Sequence, residues 1–267
     1  CCYFSIMKIS IFQVDAFSDQ LFKGNPAAVC PLNEWLPDEL MQNIAQENNL
    51  AETAFIVPAN EGYEIRWFTP TVEVDLCGHA TLASAHVVFQ ELGHSGEKVE
   101  FYSPRSGPLT VTKRGDELVL DFPSDTISQI DVEPLHSTGL SKAPKAVYKG
   151  KTDYLFVYDT EAEIRALIPD FEALKTHPVR GIIVTAPGEK VDFVSRFFGP
   201  ACGVNEDPVT GSAHTTLTPY WSSVTGKRTL KALQLSQRSG SLTCTLKGDR
   251  VEIAGKSVLY LRGEINV

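Results

Sequence analysis

The sequence predicts an α+β protein built from two similar halves, each with strands arranged around one central helix. Three observations support this prediction. A short segment of the first half recurs about 130 residues later in the second half. Strand-like and helix-like segments follow one another in the same order in both halves. The helix that follows the first copy of the repeat carries small side chains, as expected of a helix enclosed by strands.

The repeat consists of two stretches, each of which leads into a glycine-containing turn. Four residues of the first stretch recur at a constant offset in the second, namely Arg66, Phe68, Pro70 and Val74 as Arg196, Phe198, Pro200 and Val204. At the same offset, Cys77 lies opposite Asp207. Two copies of one unit usually face each other across a cleft, so His79 and Asp207 are the first candidates for chemistry. Alternatively, both stretches are strand-to-helix turns that serve packing alone.

In the first half, the pattern predicts a strand, a loop, a helix, two strands, a second helix and a hairpin. The first helix begins at Pro37, because proline is favoured in the first turn. It ends at Asn48-Asn49, because asparagine tolerates the left-handed conformation. Its predicted buried face comprises Leu36, Leu40, Met41, Ile44 and Ala45. The predicted strands are residues 9–17, 51–57, 63–68, 99–102, 109–113 and 117–122.

The second helix is predicted from Ala80 to Leu92, where Gly93 ends it. Most of its residues are small, which indicates a central position with strands on several sides.

The second half repeats this order after a polar, turn-rich linker predicted at 123–144. Strands are expected at 146–148, 154–158, 181–185 and 193–198, with helical segments at 161–175 and 212–222 and four closing strands. The predicted domains are 7–124 and 125–267, and the last strand is allowed to return to the first half. Residues 1–6 are predicted to be an extension that precedes the natural start at Met7.

Composition argues against several classes of partner. The 267 residues are 43% hydrophobic and 21% charged, and the net charge is −9. The chain contains no basic cluster, which argues against nucleic acid and anionic membrane surfaces as partners. No apolar run approaches the roughly 20 residues that a membrane-spanning helix needs. With no export signal recognised, we expect a cytoplasmic protein.

The cysteines and histidines show no metal-binding pattern. None of the six cysteines forms a C-x-x-C pair, and the six histidines are scattered. A reduced environment is therefore expected, and zinc is not. Without a phosphate-binding loop or ligand cluster, we expect no metal, nucleotide or flavin cofactor.

Two glycines mark the starts of the two central helices. The start of a helix carries unpaired N–H groups and the positive end of the helix dipole, so it binds anions. Gly78 and Gly211 would let the backbone approach such a ligand closely. We therefore expect a carboxylate-binding site there, the alternative being that both glycines only satisfy turn geometry.

Glu52 is a third candidate for chemistry. It opens a predicted strand, and alternation places it on the same face as Ala54 and Ile56, which is apolar. A carboxylate in such surroundings is suited to proton transfer. The alternative is an ordinary surface carboxylate at the end of a strand.

Four motifs in order then match a known family. They are Gly24-Asn25-Pro26-Ala27-Ala28-Val29, Asn49-Leu50-Ala51-Glu52-Thr53, Asp75-Leu76-Cys77-Gly78-His79-Ala80-Thr81 and Glu206-Asp207-Pro208-Val209-Thr210-Gly211-Ser212-Ala213-His214. From Met7 to the C-terminus, the chain strongly resembles the PhzF-like family of phenazine-biosynthesis isomerase-like proteins. The resemblance implies the diaminopimelate-epimerase-like fold, with two similar halves around central helices and the site between them.

The resemblance also implies a cofactor-free isomerisation of a small carboxylated substrate, such as trans-2,3-dihydro-3-hydroxyanthranilate. By motif, Glu52 is the acid/base that removes a proton from one ring carbon and returns it at another. His79 and Asp207 would contact polar groups of the substrate and assist proton movement. The carboxylate would be held by Ser212 and by the N–H groups around Gly78 and Gly211. His214 is a weaker candidate for framing the site.

Two alternatives stay open. A two-thiol racemase or epimerase of the same fold needs one cysteine at each helix start, and this chain has Cys77 in one copy and Asp207 in the other. A non-catalytic protein that binds a small molecule or another protein would keep the site but not the turnover. The resemblance makes a homodimer plausible, and the substrate stays open.

Overall fold

The computed structural model describes residues 7–59 and 61–267. The extension predicted at 1–6 lies outside the described residues. The chain divides into two compact units, one comprising residues up to Leu120 together with Gly255–Val267, the other Asp121–Ala254. The two central helices, one in each unit, are α2 and α5 below. Within the described residues, no helix is long and apolar enough to cross a membrane.

The described residues of the first unit form two helices and a mostly antiparallel set of strands. Its elements are β1 (Lys8–Ala16), β2 (Asn25–Pro31), α1 (Asp38–Asn48), β3 (Glu52–Ala59), β4 (Gly62–Phe68), β5 (Glu73–Val74), α2 (Gly78–Gln90), β6 (Lys98–Ser103), β7 (Gly107–Arg114) and β8 (Glu117–Pro123).

The second unit has the same kinds of element. They are β9 (Ser128–Ile130), a 3-10 turn (Pro134–Ser137), β10 (Ala146–Lys149), β11 (Asp153–Val157), α3 (Glu161–Ala166), α4 (Phe171–Leu174), β12 (Gly181–Pro187), β13 (Phe193–Phe198), a 3-10 turn (Pro200–Cys202), α5 (Gly211–Thr225), β14 (Thr229–Gln234), β15 (Gly240–Lys247) and β16 (Arg250–Gly255). The last strand, β17 (Ser257–Asn266), pairs antiparallel with β1 in the first unit.

The strand pairings show that the internal repeat extends to topology. In the first unit, β1 and β2 pair antiparallel, β2 and β3 parallel, β3 and β4 antiparallel, and β4 and β6 parallel. In the second unit, the pairs β10–β11, β11–β12, β12–β13 and β13–β14 follow the same alternation. An antiparallel meander, β6–β7–β8 or β14–β15–β16, then completes each unit. The predicted similarity of the two halves is therefore present in their strand pairing.

Helix α2 is central in the first unit, as predicted. Ten of its thirteen residues are buried, and they include residues from every side of the helix. Small side chains allow this, because Ala80, Ala83 and Ala85 let neighbouring strands approach closely. The prediction placed its start two residues too late, at Ala80, whereas the helix begins at Gly78 and includes His79 in its first turn.

Helix α5 carries bulkier side chains than α2. It buries Trp221 and contains Pro219, which cannot donate the usual hydrogen bond to the carbonyl of Thr215. The backbone N–H of Asp125 takes that place at 3.1 Å, and the carboxylate of Asp125 accepts a hydrogen bond from Thr216. The proline is therefore tolerated because another segment satisfies the freed carbonyl.

Three segments differ from the prediction. The loop expected before the first helix contains the strand β2. Pro26 is tolerated near the start of this strand because it pairs only with β1, whereas pairing with β3 starts at Ala27. The linker predicted at 123–144 contains β9 and a 3-10 turn, and His136 is buried there against Tyr154. The helical segment 161–175 divides into α3 and α4, because Pro169 disfavours helical geometry in the residue before it.

Asn49 ends α1 in the left-handed conformation, as predicted, with φ +48° and ψ +35°. Its side chain is exposed, so the backbone conformation dominates the effect of replacing it. We expect Asn49→Ala to lower the free energy of unfolding by about 1 kcal/mol, because a β-carbon without a polar group is disfavoured in this conformation. Asn49→Gly is the matched control and should unfold close to wild type in urea. Equal stability of Asn49→Ala and Asn49→Gly would contradict the left-handed conformation assigned to this residue.

Candidate active site

The first unit brings Glu52 and His79 together at the starts of two elements. Glu52 is the first residue of β3 and lies opposite Ala27 of the parallel strand β2. His79 is the second residue of α2. Because parallel strands begin at the same edge of a sheet, Asn25 at the start of β2 is also close to this point. Two strand starts and one helix start therefore form the cluster.

The Glu52–His79 contact is close but not a well-aligned hydrogen bond. Oε2 of Glu52 lies 3.1 Å from Nε2 of His79, which is the distance of an ion pair. Both atoms are buried, and among the described residues neither has a hydrogen-bond partner of good geometry. The side chain of His79 is 6% exposed and that of Glu52 16%. Such buried polar atoms are costly unless a ligand completes their interactions.

Glu52 is placed as the alternation of its strand predicts, since Ala54 and Ile56 are both fully buried. Thr53 and Phe55 are also buried, so β3 has protein on both faces rather than one.

Asn25 and Cys77 contact the other nitrogen of the His79 ring. Nδ1 of His79 lies 3.1 Å from Nδ2 of Asn25 and 3.4 Å from Sγ of Cys77. When the ring is neutral and Nδ1 accepts from Asn25, its hydrogen is on Nε2, which faces Glu52. When the ring is charged, both nitrogens donate, and the Asn25 amide must turn to present its oxygen. Asn25 was not among the predicted site residues, although it lies in one of the four motifs.

The charges of this cluster shift the pKa of His79. Burial lowers the pKa of His79, but the neighbouring Cys77 and Glu52 outweigh it and raise this pKa well above its usual value of 6.5. Burial raises the pKa of the Cys77 thiol, and the negative charge of Glu52 raises it further. Cys77 is therefore a neutral thiol at pH 7.

A glycine in a special conformation precedes Asn25. Gly24 has φ +68°, and a β-carbon there would lie 2.2 Å from the carbonyl oxygen of Ala16. Only glycine fits this turn without a backbone shift. The first motif therefore sets the position of Asn25 at the start of β2.

In the second unit, a different set of side chains lies at the starts of the equivalent strands and helix. Asp153, at the start of β11, lies opposite Gly181 at the start of β12. Arg180, directly before β12, donates to both carboxylate oxygens of Asp153, at 2.9 and 2.5 Å. Arg180 also donates to Oγ of Ser212, the second residue of α5, at 3.0 Å. In this unit the cluster is an arginine–aspartate ion pair with a serine hydroxyl, where the first unit has an acid and an imidazole.

Sequence reasoning missed Arg180 because no motif contains it. Arg180 directly precedes β12, just as Ala51, the neighbour of Glu52, directly precedes the equivalent strand β3. This equivalence of position in the two units is the signal that identifies Arg180. Its guanidinium lies over the ring of Phe197, 5.5 Å from the centroid, and the negative charge of Asp207 contributes to its raised pKa.

Asp207 is held in the loop that leads into α5. Its Oδ2 accepts a hydrogen bond from Oγ1 of Thr210 at 2.5 Å, and its backbone N–H donates to the carbonyl of Phe197. The buried side chain of Gln234 donates to the carbonyl of Asp207 and accepts from the N–H of Thr210, both at 2.8 Å. Gln234 is a second residue that the sequence did not indicate.

The positions at which α2 and α5 begin correct one detail of the predicted alignment of the two copies. Helix α2 begins at Gly78 after Cys77, and α5 begins at Gly211 after Thr210. The offset has thus grown to 133 residues at the helix starts, and the residue equivalent to Cys77 is Thr210 rather than Asp207. Within the described part of the chain, neither helix start has a side-chain cap hydrogen bond. This leaves both first turns suited to bind an anion.

The residues that define the repeat hold the two loops in place. Arg66 forms a two-pronged ion pair with Glu73, and its guanidinium lies over the ring of Phe68. Arg196 does the same with Glu206 and Phe198. These arginines are structural, so the repeated stretches serve packing while the residues after them carry the candidate chemistry.

His214, predicted as a weaker candidate, is a core residue. It is completely buried, its Nδ1 lies 2.8 Å from the carbonyl oxygen of Thr210, and its ring packs against Phe193. Burial lowers its pKa to about 4. It is therefore neutral at pH 7 and supports the first turn of α5.

Comparisons with known proteins agree with this architecture. A crystal structure of a hydroxyproline epimerase from Agrobacterium vitis shares the fold, with a TM-score of 0.61, 11% identity, and coverage of 97% of this chain and 91% of that one. The protein thus has the diaminopimelate-epimerase-like fold.

Closer relatives define the family. The family model described as phenazine biosynthesis-like protein matches residues 14–263. An uncharacterized isomerase of Pseudomonas aeruginosa is 52% identical, over 98% of this chain and all of the relative. The crystal structure of a PhzF-family protein from Enterococcus faecalis has a TM-score of 0.95 and 47% identity, covering 98% of this chain and all of that one. The chain belongs to the phenazine biosynthesis-like (PhzF) family.

Gln234 provides a test of how the Asp207 loop is held. Replacing it with leucine leaves the buried N–H of Thr210 and carbonyl of Asp207 without this partner. We expect Gln234→Leu to lower the free energy of unfolding by about 3 kcal/mol, since each unsatisfied group costs about 1–3 kcal/mol. The control is Gln129→Leu, at an exposed position of β9. Chemical denaturation measures the stability of both variants. A loss of stability smaller in Gln234→Leu than in Gln129→Leu would contradict the role of Gln234 in holding the Asp207 loop.

The lowered pKa of the buried His214 predicts how the free energy of unfolding depends on pH. Its pKa is about 4 in the folded protein and 6.5 in the unfolded chain. Between these values the unfolded chain binds the extra proton, so stability is complete above pH 6.5 and falls as the pH decreases. We expect His214 to account for a loss of about 2 kcal/mol between pH 6.5 and 5.

Urea unfolding at pH 7.5 and 5.0 measures this loss. His214→Gln should lose about 2 kcal/mol less than wild type between the two pH values, because the titrating group is absent. The same pH dependence in wild type and variant would show that His214 is not the neutral buried group described here.

Proposed function

We propose that the protein is a cofactor-independent isomerase that moves a proton, and with it a double bond, on a small carboxylated molecule resembling trans-2,3-dihydro-3-hydroxyanthranilate. The observation that carries the proposal is the buried Glu52–His79 pair, with its 3.1 Å contact and incompletely hydrogen-bonded atoms. A carboxylate beside a proton-bearing imidazole supplies both a base and an acid without any cofactor.

In the proposed reaction, the carboxylate of Glu52 removes a proton from one carbon of the substrate and returns it to another. The electron pair of the broken C–H bond moves through the conjugated system, and the double bonds shift. His79 contacts the carboxylate of Glu52 before the transfer and donates to the negative charge that develops on the substrate. The raised pKa of His79 supports this role, because the ring keeps its proton near neutral pH.

For substrate binding, we propose that the unpaired N–H groups at the start of a central helix hold an anionic group. In the first unit, Gly78 lets the backbone approach such a ligand; in the second unit, Gly211 does so and Ser212 adds a hydroxyl group. Arg180, ion-paired with Asp153, holds the Ser212 hydroxyl in place in the second unit. Asp207 is proposed to contact a polar group of the substrate, such as an amine or hydroxyl.

The alternatives are less compatible with the chemistry of the helix starts. A two-thiol racemase needs a thiolate and a thiol, but burial and Glu52 keep Cys77 neutral, and its equivalent is Thr210. A protein that only binds its ligand has no use for an acid paired with a histidine at this position.

Proton NMR in D₂O with the dihydro-hydroxyanthranilate substrate tests the proposal. We expect wild type to form the isomer with deuterium incorporated from solvent. Glu52→Gln should reduce turnover by about 10³-fold or more, since the residue that carries the proton is lost. The matched control is Glu47→Gln, an exposed glutamate in α1, which should keep wild-type turnover.

Three results would contradict parts of the proposal. No reaction in wild type would exclude this substrate. Turnover that survives in Glu52→Gln would exclude Glu52 as the proton carrier. Ligand binding without turnover in wild type would favour the binding protein.

A further inference from the structure

We propose that Glu52, Cys77 and His79 form a binding site for Zn²⁺, and that occupation of this site by zinc blocks the isomerase. The three side chains come from β3, the residue before α2, and α2 itself. Their ligand atoms all lie within 4.8 Å of one another. No spacing in the sequence indicates the site, because the fold assembles it from separate segments.

The distances suit a tetrahedral metal. Ligand nitrogen and oxygen atoms lie about 2.0–2.2 Å from zinc, so two of them at the tetrahedral angle on one metal are roughly 3.3–3.6 Å apart. Oε2 of Glu52 and Nε2 of His79 are 3.1 Å apart and are not aligned on each other for a hydrogen bond. A metal between them would give both buried atoms the partner that they lack among the described residues.

Cys77 supplies the third ligand after a small rearrangement. Its Sγ now lies 3.4 Å from Nδ1 of His79 and must rotate toward the Nε2 side. On binding, the S–H bond of Cys77 and the Nε2–H bond of His79 break, Zn–S and Zn–N bonds form, and both protons go to solvent. Thiolate, imidazole and carboxylate together are a donor set that zinc prefers, and three protein ligands leave the fourth position open.

Asn25 is placed to hydrogen-bond the ring nitrogen of His79 that does not bind the metal, as a neighbouring group usually does for zinc-bound histidines. When Nε2 binds metal, Nδ1 carries the hydrogen and needs an acceptor, usually a carbonyl or carboxylate oxygen. The amide of Asn25 lies 3.1 Å from Nδ1. A rotation of this amide by half a turn presents its oxygen in place of its nitrogen, so the site can accept the metal-bound tautomer.

Occupation by zinc would be incompatible with the proposed reaction, because the carboxylate of Glu52 and Nε2 of His79 would both be bound. The metal site itself does not depend on that reaction. Binding can therefore be measured on the protein alone, and failure of either proposal leaves the other distinguishable.

The experiment titrates chelator-treated full-length protein with Zn²⁺ by calorimetry and with Co²⁺ by absorption spectroscopy. We expect one metal per chain and a thiolate-to-cobalt charge-transfer band in the near ultraviolet. Cys77→Ser and His79→Gln should each weaken metal binding by at least about tenfold, and Cys77→Ser should abolish the band. Cys202→Ser, which removes an exposed thiol of the second unit, is the control and should bind like wild type.

The band persisting in Cys77→Ser, or its loss in Cys202→Ser, would overturn the proposal, as would the absence of stoichiometric binding in wild type. Circular dichroism and thermal unfolding verify that each variant is folded. If Cys77→Ser does not fold, His79→Gln decides the question by the same titration, and undiminished binding in that variant would also overturn the site.

Discussion

The parallel pairing of β2 with β3 is the constraint on which the candidate active site depends. Parallel strands begin at one edge, so the pairing places Asn25 and Glu52 close together although 27 positions separate them in sequence. Helix α2 then delivers His79 to the same edge. The buried contact between Glu52 and His79 follows from this geometry, and so do the raised pKa values of His79 and of the Cys77 thiol.

The second unit satisfies the same constraint with different residues. The parallel pairing of β11 with β12 brings Asp153 and Arg180 to the start of α5, where Arg180 meets Ser212. The same topology thus holds a carboxylate–imidazole pair in the first unit and an arginine–aspartate pair with a serine hydroxyl in the second. The residues identical in the two copies, such as Arg66 and Arg196, hold loops in place. The proposed chemistry therefore uses residues that differ between the two copies.

Much of the fold could be predicted from the sequence, because hydrophobic periodicity, turn residues and the repeat are local signals. The left-handed end of α1 at Asn49 is an example. Strand β2 was missed because Pro26 argues against a strand, and only its pairing shows that the proline is tolerated. The roles of Arg180 and Gln234 could not be predicted, since each depends on a partner brought near by tertiary structure. His214 looked like a site residue because its burial is invisible in the sequence.

The central claim is that Glu52 and His79 are electrostatically coupled, and NMR titration of the histidine ring signals tests it most directly. The His79 signal is assigned by its absence in His79→Gln. The account predicts that His79 titrates well above pH 6.5 in wild type and at lower pH in Glu52→Gln, where the neighbouring negative charge is gone. An unchanged His79 titration in Glu52→Gln would contradict the account, because the two groups would then not act as a pair.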